Sequence, residues 1–170
     1  NGGNIIMVQV ENEYGSFGDD HEYMKAVKES IIKAGFTVTL FTSDGPGENL
    51  LKGGTLPDVA SVINFGSGAD IAKEFGNFAK FRTNVPKMVG EYWVGWFDHW
   101  GEKHHTVKAD VVAKGVDYYL KNNISFNLYM FHGGWSFGYM AGANYSRTVP
   151  YQPDTSDYDY DSPLDAGGRT

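Results

Sequence analysis

The chain reads as an α/β protein of the barrel type, and three observations carry that reading. Short β-branched runs alternate with stretches of helical period, the pattern of βαβ units around a parallel sheet. Polar residues recur where those runs end, at Asn12 and Glu13, Ser43 and Asp44, Asn64, Glu91 and His132. Ligands bind at that edge in α/β barrels and in open doubly wound sheets alike. No glycine fingerprint of a dinucleotide or phosphate site follows the first run, which favours the barrel.

The elements follow in order. Ile5 to Val10 ("IIMVQV") is a strand that ends in the polar cluster "ENEYG". Tyr23 to Ala34 is a helix, with apolar residues at 23, 24, 27, 31 and 32 and Gly35 as its stop. Thr37 to Phe41 is a short strand, and "TSDGPGENL" after it reads as a loop. Val59 to Phe65 is the third strand and Ala69 to Phe81 a second helix. Lys87 to Glu91 is the fourth strand. Thr106 to Lys121 is the clearest helix, with Val107, Val111, Val112, Val116 and Leu120 on one face. Ser125 to Phe131 is the fifth strand. Residues 133–170 read as a loop-rich region of Gly, Tyr and Asp within a single segment, 1–170.

Composition narrows the function. The chain has 170 residues and a net charge of −7. That excludes the basic stripe of a nucleic-acid binder and the polybasic patch of an anionic membrane surface. Cysteine is absent, so there is no disulfide, thiolate metal site or cysteine nucleophile. Aromatic residues reach 15% and cluster beside Gly, Asp and Asn. Rings mixed with polar groups are the lining of a binding cleft. The chain begins at Asn1 directly before a strand, and reads as a segment of a longer protein.

A pair of carboxylates carries the chemistry. Glu13 and Glu91 end strands three βα units apart, slightly closer in sequence than the ~31 residues per unit of a typical barrel implies. Two carboxyls across one barrel mouth can flank a single glycosidic bond. Glu11 is a rival, since along a strand it shares a face with Glu13. Asp98, His99, Glu102, His104 and His105 lack metal-site spacing, so no metal is expected. Asp44 reads as a turn or helix-capping acid. Ser43 lacks the surroundings of a serine nucleophile.

These motifs resemble glycoside hydrolase family 35, the β-galactosidases. The resemblance rests on "IIMVQVENEYGSFG", "LFTSDG", "GTLPDV", "VINFG", "MVGEYWVGWFDHWGE", "SFNLYMFHGG" and "YDYDSPL", in order along the chain. It implies a (β/α)8 TIM barrel of which this chain holds the fourth to eighth strands, with the first three missing. It implies that Glu13 is the acid/base and Glu91 the nucleophile of a retaining mechanism, and it favours Glu13 over Glu11. It implies that Asn12, Trp93, Trp96, Tyr129 and Tyr158 hold the sugar.

The implied substrate is a β-galactoside oligosaccharide or glycoconjugate, cleaved from its terminus without a cofactor. In such a mechanism the carboxyls lie about 5–5.5 Å apart, Glu13 holds a proton and Glu91 stays ionised. A chain without the first three strands is expected to be inactive alone. Family members are secreted, periplasmic or lysosomal. Two alternatives stand beside this reading: a non-catalytic sugar-binding or degenerate fragment, and a retaining glycosidase for another β-glycoside. Trp135, Ser136 and Asp157 depart from the common family pattern and put linkage preference in question.

Overall fold

The structure, a computed structural model, describes residues 3–83 and 85–170. Its main elements are β1 (Met7–Gln9), α1 (His21–Lys33), β2 (Thr39–Asp44), α2 (Glu48–Gly54), β3 (Ala60–Gly66), α3 (Ile71–Phe81), β4 (Met88–Trp93), α4 (Ala109–Lys121) and β5 (Ser125–Tyr129). The strands form one sheet in the order β1-β2-β3-β4-β5. β1 pairs parallel with β2, Met7 opposite Thr39, and β2 pairs parallel with β3, Phe41 opposite Ala60. Each strand therefore lies beside its successor in the chain. That is the topology of an α/β barrel; in a doubly wound sheet the order reverses at a switch point. The fold is α/β, a partial (β/α)8 barrel.

Several elements sit differently from the sequence reading. β1 is shorter than the apolar run, and Ile5 and Ile6 are exposed. β2 begins two residues later and continues through Asp44. The stretch read as a loop after it contains α2. β4 continues past Glu91 to Trp93. In α4 the inward residues include Gly115 and Tyr119, while Leu120 is exposed. Periodicity alone did not separate adjacent residues on that helix, and the ring of Tyr119 took the buried place. The loop-rich region carries two ladders, β6 (Gly134–Trp135) with β9 (Asp157–Tyr158) and β7 (Ala143–Asn144) with β8 (Gln152–Pro153), both antiparallel.

The chain divides into two compact units. The first gathers the described residues of Asn1–Phe65, Ala69–Glu91 and Tyr119–Asn127. Here the face of α1 formed by Met24, Val27 and Ile31 packs on Val10, Leu40, Leu56 and Val59. Burying an aliphatic side chain of this size stabilises by about 1.5–3 kcal/mol. Asp20 caps α1 by accepting the Glu22 and Tyr23 N–H groups at 3.0 and 3.1 Å. Gly35, at φ 95°, stops it in the left-handed conformation that suits glycine. Asp70 caps α3 through the Lys73 N–H at 3.1 Å, and Phe75 of that helix meets Phe65 of β3 edge-on.

The second unit gathers Gly66–Gly68, Tyr92–Tyr118 and Leu128–Thr170. Its core includes Tyr92, Val94 and Tyr160. A Cβ on Gly115 would lie 1.9 Å from the Tyr92 hydroxyl oxygen, so a glycine lets α4 accept that ring. No helix among the described residues is long and apolar enough to cross a membrane.

Candidate active site

The first unit carries both candidate catalytic carboxylates. The backbone turns sharply after β1: Glu11 and Glu13 both adopt left-handed conformations, at φ 61° and 53°. This conformation is uncommon for residues other than glycine and persists where the surroundings enforce it. Here the Glu13 N–H donates to the Ser43 carbonyl at 2.9 Å, and the Ser16 N–H donates to the Glu13 carbonyl at 2.9 Å. The strand alternation that put Glu11 and Glu13 on one face ends at Gln9. Their carboxylates go to different partners. Glu11 accepts from the Tyr23 hydroxyl at 3.1 Å and from the Asn12 N–H at 2.6 Å. Glu13 Oε1 accepts from Asn64 Nδ2 at 2.8 Å.

Asn64 joins the two carboxylate-bearing segments. It lies in β3, 1% exposed. Its Oδ1 accepts from the Glu91 N–H at 2.9 Å and from the Ser43 hydroxyl at 2.7 Å. One buried amide thus holds the side chain of Glu13 and the backbone of Glu91. Gly90 makes room for this arrangement. A Cβ there would lie 2.5 Å from Val62 Cγ2, 2.6 Å from Ser43 Oγ and 2.9 Å from Asn64 Oδ1.

Asp44 lies beneath the same turn. It is neither a turn acid nor a helix cap, for α2 is preceded by Gly47 and has no side-chain cap. Instead it is buried at the end of β2 and accepts the Gly15 N–H through Oδ1 at 3.1 Å. Burial pushes its carboxyl up to about 6; the Gly15 hydrogen bond opposes this, and the charges of Glu13 and Glu11 add to it. Gly54 is the matching small residue, since a Cβ there would lie 1.8 Å from Asp44 Oδ1. Asn12 is exposed, and its Oδ1 accepts from Gln9 Nε2 at 2.8 Å.

The second unit brings together four of the residues expected to hold sugar. Trp93 meets Trp96 edge-on at 5.5 Å between ring centroids. Phe97 is stacked between Trp96 at 4.9 Å and Tyr158 at 5.6 Å. Tyr160 stacks on Tyr158 at 5.4 Å and receives Tyr129 edge-on at 5.3 Å. Phe97 and Tyr160 were not singled out in the sequence, although both sit inside its quoted aromatic motifs. They connect the other four rings. Gly95 allows this close packing, as a Cβ there would lie 2.0 Å from the Tyr160 carbonyl oxygen.

The histidine-rich stretch serves local hydrogen bonding. Asp98 accepts from the Nδ1 atoms of His104 and His105 at 2.5 and 2.8 Å, and from the His105 N–H. The bond from His104 heads the causes that lower Asp98 against its partial burial, and the bond from Asp98 raises His104 in return. His99 lies between Glu102 and Asn144, at 2.8 and 3.0 Å. Potential ligand atoms of His104, Asp159 and Asp161 lie within 4.8 Å of one another. Asp161 spends one oxygen on the Val107 N–H. Two of the departures from the family pattern face each other, since Trp135 is the ladder partner of Asp157, and the Ser136 N–H donates to the Ser156 carbonyl at 2.7 Å.

Comparison with known proteins gives the family. The profile of "Glycosyl hydrolases family 35" matches residues 1–170. A protein of Xanthomonas manihotis named beta-galactosidase is 50% identical over 99% of this chain and 28% of its own length. Proteins of that name from Mus musculus and Homo sapiens are 44% and 41% identical over the same share of the chain, which covers 26% and 24% of them. The chain thus spans about a quarter of the length of the relatives it matches. A family match along the whole chain, joined to a parallel sheet in barrel order, means that this chain belongs to glycosyl hydrolase family 35.

Proposed function

We propose that this chain is the catalytic segment of a retaining, exo-acting β-galactosidase. Glu91 is the nucleophile and Glu13 the acid/base. The observation that carries the assignment is the single buried amide of Asn64, which bonds the Glu13 carboxylate and the Glu91 backbone. Relatives named beta-galactosidase support the sugar class.

In the first step the Glu91 carboxylate attacks the anomeric carbon and the glycosidic C–O bond breaks. Glu13 gives its proton to the departing oxygen, and a galactosyl ester forms on Glu91. In the second step Glu13 takes a proton from water. The oxygen of that water bonds the anomeric carbon, and Glu91 leaves as a carboxylate. Asn12 supplies an amide donor for a sugar hydroxyl. Trp93, Trp96, Tyr129 and Tyr158 offer flat apolar faces for stacking on a pyranose and, from the tyrosines, hydroxyls for its polar rim. The substrate is a β-galactoside oligosaccharide or glycoconjugate, met in a secreted, periplasmic or lysosomal setting.

The test is covalent labelling of the full-length parent protein. A 2-deoxy-2-fluoro galactoside with an activated leaving group should leave a galactosyl adduct on Glu91, located by peptide mass spectrometry. A label elsewhere overturns the nucleophile assignment. Labelling only by a glucoside or mannoside analogue overturns the sugar class. A parent that neither turns over nor labels supports the degenerate, sugar-binding alternative. Residues 1–170 alone should show no turnover, because a sugar pocket at a barrel mouth draws on all the strand ends.

A further inference from the structure

We infer that Asn64 is a positioning residue that reserves one oxygen of Glu13, so that the other, Oε2, carries the proton in both chemical steps. This rests on the assignment of Glu13 as acid/base. The Glu91 backbone N–H can only donate. It points at Asn64 at 2.9 Å, so the atom it meets must be the amide oxygen. The Ser43 hydroxyl gives a second bond to the same oxygen at 2.7 Å. With Oδ1 committed twice, the amide is fixed in one orientation and Nδ2 faces Glu13. An amide nitrogen donates and does not accept. The Glu13 oxygen it meets, Oε1 at 2.8 Å, therefore cannot bear a hydrogen toward it. A protonated Glu13 keeps this bond at full strength with its hydrogen on Oε2, because the carbonyl oxygen of a carboxylic acid is the better acceptor.

Burial gives the device its strength. Asn64 and Ser43 are 1% and 2% exposed, so the bond that fixes the amide is shielded from solvent, while the Glu13 carboxylate it serves is half-buried. The other titratable groups around this segment are Asp44 at the end of β2 and Glu11 in the same turn, with Glu91 joined to it through Asn64.

The experiment compares pH profiles of kcat/KM for the full-length parent enzyme and its N64A, N64D and S43A variants. Loss of the donor in N64A should move the alkaline limb upward by about one pH unit and lower kcat roughly tenfold to a hundredfold. N64D should move that limb at least as far, because an anion then faces Glu13. S43A, which removes one of the two bonds fixing the amide, should move it the same way by less. The loss of kcat should be larger for substrates with poor leaving groups, which need the proton most. An unmoved alkaline limb in N64D and S43A, with only thermal stability reduced, overturns the inference. Should N64A fail to fold, the N64D and S43A profiles decide alone. E13A tests the underlying assignment separately. If azide does not rescue that variant on an activated galactoside, the acid/base assignment fails, whatever the Asn64 variants show.

Discussion

The carboxylate group of the first unit and the ring group of the second are built by different means. Around Glu13 and Glu91 the bonds are directional and converge on the buried side chains of Asn64 and Ser43. Around Trp96, Phe97, Tyr158 and Tyr160 the contacts are ring on ring, and Trp96 remains 38% exposed. Hydrogen bonds in a dry interior are costly to break and leave a partner unsatisfied. Ring packing is individually weak, and losses are graded. The contrast suits the two tasks proposed for them, since bond cleavage needs fixed protons and charges, whereas sugar stacking tolerates small shifts.

Removing the carboxylate proposed as nucleophile should have the largest effect. E91Q in the full-length parent should lower kcat on an aryl galactoside at least about a thousandfold while the fold is kept, as circular dichroism would show. A milder loss would dissolve the contrast by making the carboxylate group as tolerant as the rings. Next comes G90A, which changes no functional group. Its methyl must displace Val62, Ser43 or Asn64, and we expect about 1–3 kcal/mol of destabilisation with a larger relative loss in kcat than in KM. Chemical denaturation and steady-state kinetics check this.

F97L tests the other side. It removes two stacked contacts, each worth about 0.5–1.5 kcal/mol. Its expected signature is a several-fold rise in KM with kcat nearly kept. A collapse of kcat instead would mean that the rings hold the chemistry as rigidly as the amide does.

The smallest effect is on stability and follows from Asp44. Its carboxyl is raised from 3.8 to about 6 in the folded state, so folding binds its proton more tightly than the unfolded chain does. The stabilisation this brings is fully present below about pH 4 and is lost as pH rises through about 6. D44N keeps an oxygen for the Gly15 N–H and cannot ionise. It should raise Tm by a few degrees at pH 7 and change it little at pH 4, as calorimetry at the two pH values would show.

Much of the architecture was legible because it is local. The α1 stripe of Met24, Val27 and Ile31 follows from a period of 3.6, although Tyr23 and Ile32 turned outward at its edges. The β3 strand follows from "VASVINF", and Gly35 marks the end of α1 as expected. The motifs around Glu13 and Glu91 lie near two strand ends, although β1 stops at Gln9 and β4 runs on to Trp93. α2 escaped notice because Gly, Pro and Asp dominate its approach and outweigh a helix of seven residues. Asp44 reads as a turn acid because its neighbours Gly45 and Pro46 signal a turn, while its burial comes from Gly15 and Gly54 packing over it.

The sequence by itself determined most of the alternation of strand and helix and the residue types that lie near the strand ends. Those depend on neighbours a few positions away, whose spacing the backbone geometry sets. Only the tertiary structure decided that Glu13 turns away from Glu11, that Phe97 and Tyr160 join the other rings, and that one asparagine serves both carboxylate segments. Asn64 meets Glu13 across 51 residues and Glu91 across 27. No local period encodes a bond of that reach, because it exists only once the sheet has set the three strand ends side by side.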